Sequence, residues 1–526
     1  MILNCTLAGR RRRPLGAMPA LLLALAGQCL GGVYFVATHG DDANPGTEAK
    51  PWKTIQQAAD TMLPGDAVTV LEGSYAAQRV AVIRSGRPAL PITYQAKGTV
   101  VMKGFKVTAD HITIRGFEIA DTDYVRWHSD VSAGVFVKGR HVVVESNYIH
   151  DAALTGIVLA ATPEEPTATS DCVVRNNRLF RNEMAGISLA GRNNLVEGNE
   201  IWGSVQYHPK VVAAEGHPAK IRGLDADGMR FFGRGHVIRK NHIHDIKYGP
   251  PGIDPAQGDY NDDAHIDCFQ TWSDKYSEPA RDIVFEGNLC DNAAAQQPRE
   301  TCQGFMIEGG AENIIIRNNV LKTFRGVNAI GCKRLIVVNN TFVSDLVLDP
   351  KCHPGGVGLK DCPDASIRNN LFYDMPGHVI NVLFTGVSPS RKTVLPYVAR
   401  NMACRSDGKP LWEPYTYSHS QDFWNVDPRL VKPAKGDYHL RADSPAIGAG
   451  LPLEEVDVDC DGRPRPAGKP CAIGAFEYQP QQKDIPKRDG GGPPKEPTPA
   501  ATSRPSGPGG SRPKIPARTR PSGGIR

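Results

Sequence analysis

Two recurring sequence motifs, called phrases below, predict an all-β solenoid, namely a single-stranded parallel β-helix. In the first phrase a run of Val and Ile is followed by Asn, any residue, and Ile, Leu, Phe or Cys. Its copies are VVVESNYI (142–149), CVVRNNRL (172–179), LVEGNEI (195–201), HVIRKNHI (236–243), IVFEGNLC (283–290), IIIRNNVL (314–321), IVVNNTF (336–342) and SIRNNLF (366–372). The second phrase is a short alternating strand that mostly begins with Gly. Repeats of this length indicate stacked supersecondary units.

The N-terminal segment, residues 1–32, resembles a targeting signal. Arg10–Arg13 is basic, and the apolar run Pro19–Leu25 ends in small residues. This order is typical of a secretory signal, and the apolar run is too short to span a bilayer. We therefore expect a secreted or cell-envelope protein with no transmembrane segment.

Residues 33–110 are predicted to form an N-terminal cap and the first rungs. The pattern over Thr54–Met62 favours a helix, with Ile55, Ala58 and Ala59 on one face. A solenoid needs such a cap because an open end would expose strand edges and core.

Composition narrows the class of partner. The net charge of +5 over 526 residues, 22% of which are charged, is too mild to favour nucleic acid. Ten of the twelve cysteines follow the signal region, which favours disulfides in an exported protein. Cys352 with Cys362 and Cys460 with Cys471 are plausible close pairs.

The two ends of the coil carry a resemblance. The opening pattern Tyr-Phe-Val, Gly-Asp-Asp, Asn-Pro-Gly-Thr and Pro-Trp-Lys-Thr-Ile-Gln-Gln-Ala begins at Tyr34. The closing pattern Asp-Ser-Pro-Ala-Ile-Gly begins at Asp443, and Ile-Gly-Ala-Phe-Glu-Tyr ends at Tyr478. Together they resemble right-handed parallel β-helix proteins of the pectate-lyase-like superfamily. The resemblance implies the fold but not the reaction, since this fold hosts lyases, hydrolases, epimerases and non-catalytic surface proteins.

The remaining boundaries follow from the repeats and from composition. Residues 111–400 are predicted to form the parallel β-helix with groove-lining loops, and residues 401–478 a C-terminal closing segment. Residues 479–526 consist mainly of Pro, Gly, Ser, Lys and Arg, a composition that cannot bury a core and predicts a disordered tail. We expect a monomer.

Aligning the Gly-led strands places equivalent residues above one another. The second and fourth positions are mostly apolar and should point inward, so the first and third should point outward. The third position reads Phe136, Val158, Ser188, Arg230, Gln270, Met306, Asn328 and Gly358. The residue before the strand reads Ala133, Thr155, Ala185, Asp227, Asp267, Gln303 and Arg325.

Two carboxylates, Asp227 and Asp267, therefore fall on adjacent strands. Asp225 and His265 lie two residues before them, in register with each other. Carboxylates one strand spacing apart repel unless a cation or a shared proton intervenes, so the cluster is a candidate site, although Asp also serves in loop capping and turns. The insertions near 204–224 and 249–264 precede the two rungs, as groove-lining loops would.

The leading hypothesis is β-elimination on an acidic, uronate-containing extracellular polysaccharide. Asp227 and Asp267 would bind a cation, with Ca²⁺ the candidate because it prefers carboxylate oxygen, and Asp262 or Asp263 would assist. Arg230 would pair with the uronate carboxylate, and His265 is the candidate base. Asp225, Gln270 and Arg325 would line the substrate groove.

The resemblance departs from this sequence at one place. Calcium-dependent pectate lyases of polysaccharide lyase family nine, which the chain partly resembles, carry a Lys base in a Gly-Phe-Lys phrase. Here the phrase is Gly304-Phe305-Met306. Because a Met thioether cannot accept a proton at neutral pH, that mechanism does not carry over.

Two alternatives stay open. A glycoside hydrolase on the same coil would use Asp227 with Asp267 or Asp263 as acid and base. A non-catalytic carbohydrate-binding protein would use exposed aromatic residues, for which Trp127, Trp202 and Trp272 are candidates. The Asn column is predicted to be structural, and His150 and His244 to be turn residues.

Overall fold

The computed structural model describes residues 31–216, 225–246, 266–273, 275–292, 302–345, 355–383, 396–411 and 421–478. Most of the predicted signal segment and the whole predicted tail, 479–526, lie outside the described residues. So do His265, Asp262 and Asp263, together with residues 217–224 and 249–264 of the two predicted loops. The chain up to Tyr478 forms one compact unit.

A short helix precedes the coil, as predicted. The first elements are β1 (Val33–Val36), α1 (Ile55–Thr61), β2 (Ala67–Val82) and β3 (Ile92–Val107). The Thr54 side chain caps α1 by accepting a hydrogen bond from the Gln57 N–H at 3.2 Å. Ile55, Ala58 and Ala59 are buried, so α1 lays its apolar face on the core next to the first long strands.

After β3 the chain winds through short strands. The elements of the N-terminal half are β4 (Ile112–Arg115), β5 (Glu118–Ala120), α2 (Ser129–Ser132), β6 (Val135–Val137), β7 (Val143–Glu145), β8 (Tyr148–His150), β9 (Thr155–Leu159), β10 (Val173–Arg175), β11 (Arg178–Phe180), β12 (Ala185–Leu189), β13 (Leu195–Glu197), β14 (Glu200–Trp202), α3 (Pro209–Glu215), β15 (Asp227–Phe231), β16 (Val237–Arg239) and β17 (His242–His244). The elements that follow are β18 (Ile266–Thr271), β19 (Arg281–Glu286), β20 (Leu289–Asp291), β21 (Cys302–Ile307), β22 (Glu312–Arg317), β23 (Val320–Lys322), β24 (Arg325–Ile330), β25 (Lys333–Val338), β26 (Thr341–Val343), β27 (Gly355–Lys360), β28 (Ser366–Arg368), β29 (Leu371–Tyr373), β30 (Ile380–Leu383), β31 (Tyr397–Ala399), β32 (Met402–Cys404), β33 (Phe423–Trp424), β34 (Leu430–Lys432), a 3₁₀ turn (Pro433–Lys435) and β35 (Asp437–Leu440).

Each strand of the coil, up to β33, pairs in parallel with an equivalent strand of a neighbouring turn, which is the topology of a parallel β-helix, whereas β34 and β35 form a separate antiparallel pair. Three faces result. Face A consists of β6, β9, β12, β15, β18, β21, β24, β27 and β30; face B runs from β4 and β7 to β31 in steps of three; and face C runs from β5 and β8 to β32 in the same steps. The apolar side chains of the three faces meet in one continuous core.

The Asn column forms a buried ladder at the corner between faces B and C. Asn241 illustrates the unit: its Nδ2 donates to Asn288 Oδ1 at 3.0 Å, and its Oδ1 accepts from Asn199 Nδ2 at 3.0 Å. The ladder extends beyond the predicted copies to Asn401, whose amide donates to Asp422. The residue before each Asn has a φ of 52° to 66°, the left-handed conformation that turns the chain at this corner. The prediction that the column is structural is confirmed.

The prediction that the first position of the Gly-led strands, usually a glycine, points outward was wrong. A Cβ at Gly228 would lie 2.6 Å from Cγ2 of Ile243, so this position faces the core and has no room for a side chain. The strand pairing is irregular there, because Asp227 and Met229 pair with residues of β12 whereas the glycine between them does not. This irregularity leaves Asp227 on the same side as Arg230.

One turn later, two cysteines occupy the positions that correspond to Gly228 and Ile243. Cys268 takes the glycine position, Cys290 pairs in register with Ile243, and the two form a disulfide. The predicted Cys460–Cys471 pair was wrong, since Cys471 is a free thiol. Cys362 is also a free thiol, and Cys352 lies outside the described residues.

The segment from β34 to Tyr478 packs sideways on face C. Its Leu440, Ala446 and Ile473 contact Leu371 and Met402 in a second apolar cluster. The Asp459 carboxylate accepts hydrogen bonds from the backbone N–H groups of residues 463 and 477, which makes this Asp-rich stretch a structural turn. None of the helices in the described ranges has the length and apolar character that crossing a bilayer requires.

Candidate functional site

The structure brings the predicted acidic residues together on face A. Ala185 pairs in register with Asp227, Asp267 with Gln303, and Gln303 with Arg325. The Asp267 backbone N–H donates to Asp227 Oδ1 at 3.3 Å, so the two aspartates are direct neighbours. The predicted column is therefore confirmed across these rungs.

Arg230 neutralises the first carboxylates of the cluster. Its Nε donates to Asp227 Oδ2 at 2.6 Å, and its Nη2 lies 3.5 Å from Asp225 Oδ2. The guanidinium also lies over the Trp272 ring, 5.1 Å from the ring centroid. Arg230 is 7% exposed, so this pair sits in a medium of low polarity where the attraction is strong.

Gln270 adds a second donor to the same carboxylates. It pairs in register with Arg230. In the amide orientation that satisfies both of its ends, its nitrogen donates to Asp227 Oδ2 at 3.0 Å and to Asp225 Oδ2 at 3.3 Å. The Asp225–Asp227 pair is thus held by one cation and one amide, and Asp225, predicted for the groove, belongs to the cluster.

Asp267 has no comparable compensation. It is fully buried, and neither carboxylate oxygen has a hydrogen-bond partner within the described residues. Burial, and then the charges of Asp227 and Asp225, raise the pKa of Asp267 well above its usual range, although the nearby Gln303 opposes the rise. Burial likewise raises the pKa of Asp227 to about 7, against the lowering effect of Arg230. Burial and the neighbouring carboxylates therefore favour the protonated form of Asp267 over the ionised form.

The described carboxylates do not complete a calcium site on their own. Asp225 and Asp227 already face a guanidinium, and the one group in the described ranges whose three ligand atoms lie within 4.8 Å of one another is elsewhere on the coil. The orphaned oxygens of Asp267 offer hard ligand atoms of the kind that Ca²⁺ prefers. Asp262 and Asp263 would have to supply the remainder, so calcium binding at this cluster stays a prediction.

A cationic cleft continues face A beyond the acidic cluster. A cavity of about 370 Å³ is lined by Arg325, Lys360 and His378, together with Asn328, Asn381 and apolar side chains of β24, β27 and β30. Gly358 lies on its floor, where the missing side chain leaves the space open. Arg325 belongs to the column of Asp267 and Gln303, so the cleft follows the cluster along one line of the coil.

Glu183 is a further candidate that was not predicted from the sequence. Extending the alignment of the Gly-led strands to the position two residues before Ala185 would have found it. Glu183 precedes Ala185 by two residues, the spacing that separates Asp225 from Asp227. Its carboxylate accepts a hydrogen bond from the His208 backbone N–H at 2.9 Å. Burial raises the pKa of Glu183 well above its usual range. A second buried carboxyl with a raised pKa therefore lies one turn before the cluster.

The three candidate tryptophans have different surroundings. Trp272 lies under Arg230, and Trp202 stacks against Phe180 with ring centroids 5.0 Å apart. Trp127 is 62% exposed near the start of the coil. Since these rings occupy separate parts of the surface, they do not form one continuous sugar-binding platform.

Comparison with known proteins agrees with this architecture. Residues 34–205 match the family model described as Pel9A-like, right handed beta helix region. This match and the strand pairing show a right-handed parallel β-helix, the fold that the resemblance implied.

Relatives and solved structures add the following similarities. The uncharacterized protein YwoF of Bacillus subtilis (strain 168) is 28% identical over 142 residues, which are 24% of this chain and 30% of that protein. The chain thus matches less than a third of this relative's length. The structure of XylC with xylose has a TM-score of 0.55 at 13% identity, covering 85% of this chain and 98% of that one. Pectate lyase Pel9A has a TM-score of 0.42 at 16% identity, covering 86% and 98%. The XylC likeness shows the fold alone.

Proposed function

We propose that this protein is a secreted enzyme that cleaves an acidic, uronate-containing polysaccharide along face A. The observation that carries the proposal is the continuity between the carboxyl cluster and the cationic cleft. Arg325 and Lys360 provide positive charge for the substrate, and Asp267, whose pKa is raised by burial, lies two strands before Arg325 on the same face. An extended polyanion is the ligand that a line of this length and charge suits.

The leading reaction is β-elimination. A cation beside the uronate carboxylate acidifies the C5 proton, and in this structure Arg325 is the cleft cation nearest in register to the carboxyl cluster. A base then removes that proton, while an acid protonates the departing glycosidic oxygen. Protonated Asp267 has the state needed for the acid. His265 stays the predicted base, and His378 in the cleft is a second candidate.

Arg230 has a different role in this proposal from the one the sequence suggested. Its guanidinium already binds Asp227 and Asp225, so pairing with a uronate would require it to leave them. We assign to it the positioning of the carboxyl cluster. Its direct contact with substrate remains a prediction.

Hydrolysis is the second candidate, and one observation favours it. Asp227 is paired with Arg230, whereas burial and the charges of Asp227 and Asp225 raise the pKa of Asp267, so the two adjacent carboxyls have different electrostatic surroundings. A general acid beside an ionised carboxylate is what glycoside hydrolysis requires. The two reactions leave different products, which makes them separable by experiment.

The test measures two products on a panel of uronate polymers and matched neutral polymers. Ultraviolet absorbance of unsaturated ends reports elimination, and reducing ends without that absorbance report hydrolysis. We expect absorbance with uronate polymers, and its loss in Asp267→Asn and Arg325→Gln. Arg334→Gln is the matched control, because Arg334 lies on face B and pairs with Glu312. Binding without either product would reduce the proposal to a carbohydrate-binding protein.

A chelator arm tests the calcium prediction separately. If Asp227, Asp267 and the predicted Asp262 or Asp263 bind Ca²⁺ during the reaction, chelation abolishes activity and added Ca²⁺ restores it. Activity that survives chelation would remove calcium from the proposal and leave Arg325 as the neutralising cation.

A further inference from the structure

A second cluster of polar side chains lies on face C, away from the acidic site. Glu200 on β14 pairs in register with His242 on β17, and His244 follows two residues later on the same side of β17. One ligand atom from each of the three side chains lies within 4.8 Å of the other two. Two imidazole nitrogens and one carboxylate oxygen thus lie close enough together to share one ion.

The orientation of His244 leaves one ring nitrogen available. Its Nδ1 lies 2.8 Å from Asp245 Oδ2, which fixes the ring and directs Nε2 toward Glu200. Nε2 is buried, 3.5 Å from Glu200 Oε1, and has no hydrogen-bond partner among the described residues. A carboxylate behind the ring is the arrangement that orients histidines bound to metals.

Glu200 also keeps one oxygen available for a ligand. Its Oε2 lies 3.2 Å from Arg178 Nε, whereas Oε1 faces His244. Arg178 lies over the Trp202 ring at 5.2 Å, and Trp202 stacks on His244, so the cluster rests on a rigid aromatic support. The side chain of His244 is 18% exposed as a whole, while its Nε2 is buried against Glu200.

An earlier turn of the same face has an equivalent cluster that lacks a counterpart of His242. His150 occupies the position of His244, and its ring bridges Asp151 at 2.7 Å and Glu118 at 3.3 Å. Tyr148 stands there in the place of His242. The Asp–His–Glu brace is therefore a recurring structural unit. Both histidines end strands, β8 and β17, so the prediction that they are turn residues was wrong. His242 is an addition that a brace does not need.

We propose that Glu200, His242 and His244 bind a divalent transition-metal ion, with Zn²⁺ as the probe. Two imidazoles and one carboxylate are a donor set that suits Zn²⁺, and water can complete the tetrahedron. The ion would join β14 to β17, two strands that a 39-residue segment separates in the sequence. It would thus clip adjacent turns where the first long insertion leaves and rejoins the coil.

The test uses the full chain, stripped of metal and then titrated with Zn²⁺ by calorimetry. We expect one tight site per chain and a rise in the thermal midpoint of unfolding on binding. His242→Tyr copies the natural rung at Tyr148, so it should fold normally and lose at least tenfold in Zn²⁺ affinity. Asp245→Asn should weaken binding by about tenfold, as loss of a carboxylate behind a ligating histidine does.

The matched control is His150→Gln, which alters the equivalent brace and should leave Zn²⁺ affinity unchanged. X-ray absorption of the bound ion should show two imidazoles. The proposal fails if Zn²⁺ does not bind, or if His242→Tyr and His244→Gln bind it as tightly as the parent chain. Asp227→Asn keeps this site separate from the acidic cluster, since that variant should retain the tight Zn²⁺ site.

Discussion

The Asp267 backbone N–H donates to the Asp227 carboxylate at 3.3 Å, so two fully buried aspartates are joined across adjacent turns of the coil. A fold gains no stability from two carboxylates at this distance, because their burial and mutual repulsion both disfavour ionisation. Arg230 offsets the charge of Asp227, and burial favours the protonated form of Asp267. Each of these two terms can be tested directly.

Loss of the Arg230 guanidinium should destabilise the protein strongly. Arg230→Met leaves Asp227 buried without its cation, and breaking a buried ion pair in this way costs about 3–5 kcal/mol. The measurement is the free energy of unfolding from denaturant titration. Arg239→Met is the control: its pair with Glu197 is largely exposed, so its loss should cost less than about 1 kcal/mol. Equal costs in the two variants would contradict the buried pair.

Stability should fall as the pH rises from about 4 to about 7. Burial raises the pKa of Asp227 to about 7 and raises that of Asp267 well above its usual range, whereas an unfolded Asp titrates near pH ~3.9. The folded state therefore holds more protons across this range. Its proton-linked stability is complete below the unfolded pKa and is lost as the pH rises through the folded values.

The measurement is the thermal midpoint between pH 4 and pH 8 in metal-free buffer. Asp267→Asn keeps the shape of the side chain but cannot ionise, so its midpoint should depend on pH less steeply than that of the parent. A midpoint that rises with pH in the parent chain would show that both aspartates are stabilised in their ionised form.

Interruption of the Asn ladder should cost more in its middle than at its end. Asn241→Ala removes four hydrogen bonds and leaves buried partners unsatisfied, with an expected cost of about 3 kcal/mol. Asn147→Ala removes three, because its Oδ1 accepts from the Phe117 backbone and from no side-chain amide. We expect the first variant to be less stable by about 1 kcal/mol in denaturant unfolding. The reverse order would argue that local turn strain, and not the ladder, sets the cost.

The Cys268–Cys290 disulfide should be replaceable by the residue pair of the preceding turn. Opening a bond that closes a loop of 22 residues costs about 3 kcal/mol. The double variant Cys268→Gly with Cys290→Ile copies the Gly228–Ile243 pair of the preceding turn and so fills the core without a disulfide. Two alanines instead leave a cavity, so that variant should be less stable by a further ~1–2 kcal/mol. Equal stability of the two double variants would show that packing at this position is unimportant.

Gly228 and Gly358 should respond differently to the same substitution. Gly228→Ala places a methyl group 2.6 Å from Ile243, and the overpacking should cost about 1–3 kcal/mol in unfolding measurements. At Gly358 the nearest atoms lie 3.8 Å away, so Gly358→Ala should leave stability unchanged and weaken polysaccharide binding in the cleft. Unchanged binding in Gly358→Leu would show that substrate does not use this floor.

The sequence by itself determined the coil, the cap and the alignment of the columns. Each Asn copy needs an identical neighbour one turn away, and this requirement sets the register that places Asp227 beside Asp267 and Arg230 beside Gln270. Helix α1 could be predicted as well, because its cap at Thr54 and its apolar face are local features.

Only the tertiary structure decided which way the side chains of these columns point and what they contact. The irregularity at Gly228 turns that position toward the core, which alternation along a regular strand cannot anticipate. The contact of Asp267 with Asp227, the exposure of the cleft around Arg325 and the approach of Glu200 to His242 all depend on side-chain directions across separate turns. Such contacts join residues that are close only after the coil has formed, so no local pattern in the sequence records them.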